Sequence, residues 1–347
     1  MRIIEIDPWL APYSSIIEKR HRSVRKKMEE LTHNSKDLRA FATGHLYFGI
    51  HRTEEEWIIR EWMPNATSLF LIGEFNNWKQ EDEYSFSKIS EGNWELRVPL
   101  EKLKHLDQYK LKVLWENGSG ERIPAWALRT VQDERSAIFN AQVWSPENPY
   151  QWKNSVPDLS DFHPFIYEAH VGMATEEFKV GSFDEFRKKV LPRVVDGGYN
   201  TIQLMAIQEH PYYGSFGYHV SSLFAVSSRF GTPDQLKELI DEAHGHGIAV
   251  IMDVIHSHAV RNELEGLGMY AGDPGQFFHA GSRREHVAWD SLCYDYGKNE
   301  VMHFLLSNIH FWLEEYKFDG FRFDGVTSTL FYDHGLGRDF SSYDMYF

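Results

Sequence analysis

The sequence is poor in the features that take a chain out of the cytosol or across a membrane. One cysteine, Cys293, stands in 347 residues, so no internal disulfide can form and a reducing, cytoplasmic setting is expected. No run approaches the roughly 20 continuous apolar residues of a membrane-spanning helix, and no membrane partner is expected. The opening stretch, MRIIEIDPWLAPYSS, has no long apolar core followed by a small-residue cleavage site, so the pattern of a secretory leader is absent. Positive charge is scarce as well: 36 Lys and Arg face 51 Asp and Glu, a formal net charge of −15. Such a surface repels a phosphate backbone, which excludes nucleic acid as the expected partner and suits a neutral or cationic one. Internal repeats and low-complexity tracts are missing too.

What is present is aromatic. Phe, Trp and Tyr make up 15% of the chain, with 11 Trp and 17 Tyr. Flat rings with polar edges fill cores, and they also stack on sugar rings. The length exceeds that of one ordinary domain, so at least two are expected.

Changes in hydrophobic period divide the chain. Residues 14–31, SSIIEKRHRSVRKKMEEL, open on a capping box, Ser15 with Glu18, and carry Ile17, Val24, Met28 and Leu31 on one face, which predicts an amphipathic helix with a basic outer face. From about 45 to 145 the period switches to two, as in NWELRVPL, where Trp94, Leu96 and Val98 alternate with Glu95 and Arg97. Short strands broken by Gly and Asn clusters predict a β-sandwich. Pro146, Pro149, Pro157 and Pro164 then mark a boundary. After Phe165 four apolar runs, FIYEAHV, NTIQLMAI, IAVIMDVI and FDGFRFDGV, alternate with helical segments, which predicts a parallel sheet covered by helices.

Nearly every one of these runs ends in polar chemistry. Glu168 and His170 end the first, Glu209 and His210 follow the second, Asp253, His256 and His258 end the third, and Arg322 with Asp324 ends the fourth. A ring of functional groups at strand C-termini is how a (β/α)₈ barrel builds a site. The glycine-rich phosphate loop of a dinucleotide fold is missing after the first strand. A whole barrel takes about 250 residues and the region from 160 onward holds roughly 190, so half a barrel is expected.

Residues two apart in a strand face the same way, so Arg322 and Asp324 share one face and Phe321 and Phe323 the other, where they would pack on the outer helices. An arginine beside a carboxylate keeps it ionised, as a nucleophile requires. An ion pair that only ties strands together is the competing reading. Asp253, His256 and His258 in DVIHSHA could ligate zinc. No further cluster supports that reading, and His258 fits better as a hydrogen-bonding group for substrate.

Two of these stretches, DVIHSHA and GFRFDGVTS, resemble the first two signature regions of the α-amylase superfamily. More narrowly, IYEAHVG and NTIQLMAIQEHPYYGSFGYHVSSLFAVSSRFGTPDQL are similar to the 1,4-α-glucan branching enzymes, and REWMPNATSLFLIGEFNNW resembles the glucan-binding module that precedes their barrel. The resemblance implies a multidomain chain: an N-terminal helical segment (1–44), an all-β sandwich carbohydrate-binding module (45–145), a linker (146–163) and the first half of a (β/α)₈ barrel (164–347). It implies transfer of an α-1,4-glucan chain to a 6-hydroxyl by a retaining double displacement, with no cofactor and no metal.

Carried over by position, the resemblance makes Asp324 the nucleophile and Arg322 the residue that keeps it charged. Asp253 and His258 would hold the sugar, and Tyr218 would stack on it. His219 stands where the family usually has glutamine. An acid/base glutamate after a fifth strand, and a His–Asp pair after a seventh, are implied beyond Phe347, so the chain by itself is expected to be an inactive, incomplete branching enzyme. On the module, Trp62, just before Pro64, and Trp78 would offer flat faces to a glucan, and Lys112 could bond its hydroxyls. Trp94 reads as core, and Met63, where the family usually has a small residue, would alter the surface. Asn34, Gly92 and Glu300 are implied at the rim of a glucan site where module, N-terminal segment and barrel meet. A non-catalytic glucan binder and an amylase-type hydrolase are the alternatives.

Overall fold

The computed structural model describes residues 2–133, 135–337 and 339–347. Helix α1 (Ser14–Leu31) leads in from a 3₁₀ turn, Pro8–Tyr13. The expected capping box does not form. The Ser14 N–H bonds the Ala11 carbonyl, so the 3₁₀ turn runs straight into the helix and no side chain caps it. Ile17 and Leu31 are buried, Met28 is half-buried and Val24 is exposed, so the apolar face is used only near its two ends.

Two antiparallel sheets form the module. One has the order β1 (Gly49–Arg52), β2 (Glu56–Trp62), β5 (Asn93–Pro99), β4 (Ser87–Lys88); the other β3 (Ala66–Gly73), β6 (Gln108–Trp115), β9 (Phe139–Gln142), β8 (Thr130–Gln132), with β7 (Gly118–Arg122) beside β6. Strict alternation puts Trp57, Ile59, Trp94, Leu96 and Val98 of the first sheet, and Leu69, Leu71, Leu111 and Val113 of the second, into one core. Burying such side chains stabilises by about 1.5–3 kcal/mol each, which makes this layer the main source of the module's stability. Met63 belongs to that core, wholly buried. It does not alter the surface as expected, because the chain turns inward after β2, where the Met63 carbonyl accepts the indole N–H of Trp94 at 2.9 Å.

Between β9 and the next strand, Asp241 fixes the connection. Its carboxylate accepts the Tyr150 hydroxyl at 2.7 Å and the backbone N–H groups of Lys153 and Asn154 at 2.9 and 2.8 Å.

The second sheet system is parallel and runs in chain order: β10 (Ile166–Ala169), β11 (Thr201–Leu204), β12 (Ala249–Val254), β13 (Gly320–Phe323). The crossovers carry α2 (Leu191–Asp196), entered through a π turn (Phe186–Val190), then α3 (Pro233–Gly245) and α4 (Asn299–Glu315). Helix α3 opens on a full capping box, Thr232 with Gln235, with Pro233 in the first turn. This is the first half of a (β/α)₈ barrel joined to a sandwich, as the sequence predicts. Phe321 is half-buried, but Phe323 is 49% exposed. The expectation that both pack under helices fails at the end of β13, where Phe323 meets only the edge of the His256 ring among the described aromatic contacts outside its own strand.

Module and barrel share a junction. Trp126, 4% exposed, stacks on Phe48 and meets Phe224 and Phe304, with ring centroids 4.8–5.1 Å apart.

Candidate active site

Position-two alternation places Arg322 and Asp324 together at the C-terminal end of β13, and parallel pairing sets Arg322 directly opposite Asp253 on β12. One guanidinium nitrogen, Nη1, bonds both carboxylates, Asp324 at 2.6 Å and Asp253 at 3.0 Å. Asp253 is fully buried, whereas the Asp324 side chain is 22% exposed. Directly after Asp324, Gly325 adopts φ +65°, and a Cβ there would lie 2.4 Å from Ser257 Oγ and 2.9 Å from the Trp289 ring. Only glycine permits the chain to turn this close to the site.

Asp253 has two further donors. The Tyr218 hydroxyl bonds it at 2.7 Å and Gln203 Nε2 at 2.8 Å; the same Gln203 amide reaches Glu168 at 3.2 Å. A continuous polar line therefore crosses all four strand ends. Burial raises the Asp253 pKa, against the opposing pull of Tyr218, Arg322 and Gln203. Burial, reinforced by Asp253, holds the Tyr218 hydroxyl protonated far above its usual range.

His258 departs from expectation. Its Nε2 lies 3.0 Å from the Tyr218 carbonyl and its Nδ1 2.9 Å from the Ser257 hydroxyl, so both nitrogens have protein partners and neither is offered to a substrate. Burial lowers its pKa to about 4, keeping the ring neutral. His219 is half-buried with its ring 6.2 Å from that of His258. His256 turns to Asn308 at 2.9 Å, so it does not converge with His258 and Asp253 on a common point. Glu209 is also a structural group. Fully buried, it accepts from Ser227, the Ser228 N–H and hydroxyl, and Thr130 of β8, linking barrel to module.

Glu168, placed in the ring of strand ends from sequence but given no role, completes the line with Gln203, which sequence reasoning missed. The signal for Gln203 was one polar residue inside the apolar run NTIQLMAI.

A second concavity, of about 530 Å³, opens where the N-terminal segment, the module and α4 meet. Gly44, Phe48, Trp62, Asn93, Glu300 and His303 are among its lining. Trp62 and Glu300 are thus brought together. Gly92, at φ +83°, lies against the Trp62 indole and Pro64, at 3.0 and 3.2 Å from where its Cβ would be. Trp78, Lys112 and Asn34 do not line this groove. Trp78 is 38% exposed in the turn after β3, Lys112 is half-buried opposite Phe70 and Glu121, and Asn34 is exposed beyond the end of α1.

Comparison with known proteins agrees with both halves. Residues 47–127 match the family of carbohydrate-binding module 48, the isoamylase N-terminal domain, and residues 191–265 match the α-amylase catalytic domain. Curated 1,4-alpha-glucan-branching enzymes align along nearly the whole chain. That of Rhizophagus irregularis is 46% identical over 99% of the chain and 51% of its own length, and that of Dictyostelium discoideum 43% over 100% and 52%. The chain therefore spans about half the length of the curated relatives it matches. Among solved structures, a putative alpha amylase from Salmonella typhimurium superposes with TM-score 0.66 at 24% identity, over 80% of this chain and 43% of that one. A pullulanase from Paenibacillus barengoltzii, complexed with maltohexaose and alpha-cyclodextrin, gives 0.68 at 20%, over 81% and 49%. These likenesses are of fold.

Proposed function

We propose, from the premise that this chain belongs to the 1,4-alpha-glucan-branching enzymes of the α-amylase superfamily, that it supplies the nucleophile and the sugar-holding side of a glucan-branching reaction. The observation that carries the reading is the single Arg322 nitrogen shared between Asp324 and Asp253 at adjacent strand ends. In the first half-reaction an Asp324 oxygen attacks C1 of an α-1,4-linked glucose. The C1–O4 bond breaks, and a general acid protonates the leaving 4-oxygen. In the second, a glucan 6-hydroxyl attacks C1, gives its proton to the same group acting as base, and releases Asp324. Retention at C1 requires that second carboxyl roughly 5–5.5 Å from the nucleophile.

Asp253 is ill suited to be that acid. Three donors already point at its carboxylate, which favours its use as a fixed acceptor that orients Arg322, Tyr218 and, through them, the sugar. Tyr218 offers its half-buried ring to the sugar face, and His258 acts as a positioning residue by holding the Tyr218 backbone. We assign the boundaries 1–44, 45–145, 146–163 and 164–347 to the four segments. A cytoplasmic setting is supported by the lone, buried Cys293, whose thiol burial pushes up to about 11; no helix among the described residues is long and apolar enough to cross a membrane.

The test is the iodine absorbance of amylose, measured on a version of the protein that also carries the second carboxyl. Branching lowers it, and Asp324→Asn abolishes the loss. Unchanged activity in that variant overturns the assignment, and release of reducing ends without new branch points selects a hydrolase. The groove at Trp62 supports a second reading, glucan binding without turnover by the 347 residues alone. Retention on immobilised glycogen with no bond cleavage is then expected, and passage without retardation removes it.

A further inference from the structure

Away from both sites, three side chains meet where the N-terminal segment lies on α4. His45 comes from the helical turn Gly44–Leu46, and His310 and Glu314 stand one turn apart on α4. Their donor atoms all lie within 4.8 Å of one another. His310 Nε2 is 2.9 Å from Glu314 Oε1, and His45 Nε2 is 3.7 Å from Glu314 Oε2. The rings stand edge to face, 5.4 Å between centroids. The His45 side chain is only 6% exposed, and its buried Nδ1 has no hydrogen-bond partner.

Hydrogen-bond logic makes this cluster unusual. His310 Nδ1 lies 2.8 Å from the Ala42 carbonyl, which can only accept, so Nδ1 carries a proton. A neutral His310 then points the bare lone pair of Nε2 at a carboxylate oxygen, a repulsive contact unless a cation stands between them. Protonating both rings would set two imidazolium charges 5.4 Å apart, ring to ring, with the His45 side chain only 6% exposed. One divalent cation satisfies all three groups.

We propose that His45, His310 and Glu314 form a zinc site that fastens the N-terminal segment to α4, with water completing the coordination. Two imidazoles and a carboxylate suit Zn²⁺, whereas Ca²⁺ and Mg²⁺ prefer oxygen donors throughout. With bonds of about 2.0–2.1 Å, tetrahedral donors stand roughly 3.3 Å apart. The two rings stand 2.9 and 3.7 Å from the two Glu314 oxygens, and the exposed Glu314 side chain is free to turn one oxygen to the metal. The Ala42 carbonyl orients His310 as an outer partner would. Glu314, 54% exposed, leaves the site open to entry from solvent. The same N-terminal stretch lends Phe41, Thr43 and Gly44 to the groove wall, so the metal would hold that wall in place.

The test uses the whole chain, freed of metal by dialysis against a chelator and titrated with zinc by calorimetry, with cobalt as a spectroscopic stand-in. One zinc per chain is expected, with the visible band of tetrahedral cobalt displaced by zinc and not by calcium or magnesium. Saturating zinc should raise the thermal midpoint by roughly 2–4 °C. Glu314→Gln, at an exposed position, and His310→Gln should each weaken binding at least about tenfold, the former without moving the metal-free midpoint. Absence of stoichiometric uptake, which leaves a protonated His310 paired with Glu314, overturns the proposal. Equal affinity in both variants overturns it too.

Discussion

Asp253 and Asp324 stand at neighbouring strand ends and share one guanidinium nitrogen, yet their surroundings suit the opposite tasks proposed for them. Asp253 is wholly buried and receives Tyr218, Gln203 and Arg322; Asp324 is partly exposed, with Arg322 as its one described side-chain partner. A nucleophile needs a lone pair left free and a path to it, and an anchor needs neither. The difference separates a residue whose loss should remove chemistry from one whose loss should also loosen the fold.

The largest expected effect breaks that comparison at Asp324. In a version that also carries the second carboxyl, Asp324→Asn should lower branching activity on the order of 10⁴-fold or more, as removal of a nucleophile does, while the thermal midpoint barely moves. A midpoint that falls with the activity would make Asp324 a structural ion pair.

Acid should attack the buried side first. The pKa values of His256 and His258 are both pushed down to about 4 by burial, from an ordinary 6.5. The unfolded chain takes up protons more readily than the folded one in this window, so stability is full above about 6.5 and falls as pH drops towards 4. The loss is on the order of 2–3 kcal/mol for each ring. Asp253, with its pKa raised, works in the opposite direction, its burial penalty being relieved as pH falls. Denaturant midpoints between pH 7 and 4 test this, and His258→Gln should flatten the slope. An unchanged slope would mean that His258 does not titrate on unfolding.

Asp253→Asn should cost about 1–3 kcal/mol in chemical denaturation, because the new amide turns a donor towards donors, and activity should fall with it. Smallest is the effect of Trp62→Ala, which touches neither aspartate. It should weaken retention on immobilised glycogen about tenfold, one lost stacking anchor among several contacts.

Local periodicity made much of this legible. The sandwich and the shared face of Arg322 and Asp324 follow from a period of two, which sterics impose whatever the tertiary context, and the four parallel strands from apolar runs alternating with helical segments. What was not legible depends on partners far apart in the chain. Gln203 bridges Glu168 and Asp253 only because pairing sets it opposite Glu168 and within reach of Asp253, two residues beyond its partner Ile251. His258 reads as a free imidazole until folding lays the Tyr218 carbonyl across it. The Ser15–Glu18 box obeys every local rule and fails, because the 3₁₀ turn before it already supplies the helix start. His310 and Glu314 show helical spacing, but nothing in the sequence brings His45 to them.

Asp241 carries one more consequence. The stretch it grips, from Tyr150 to Asn154, has no helix or strand of its own and is held by those bonds and by the packing of Trp152 beside His244. A loose tether offers its second binding site at only a modest effective concentration, spread over every orientation it samples. The grip of Asp241 on the connection, together with the Trp126 junction and the Glu209–Thr130 bond, removes that averaging. On the proposed reading, a glucan held at Trp62 would meet Asp324 at one constant separation, and the interval between the two would be a property of the fold itself.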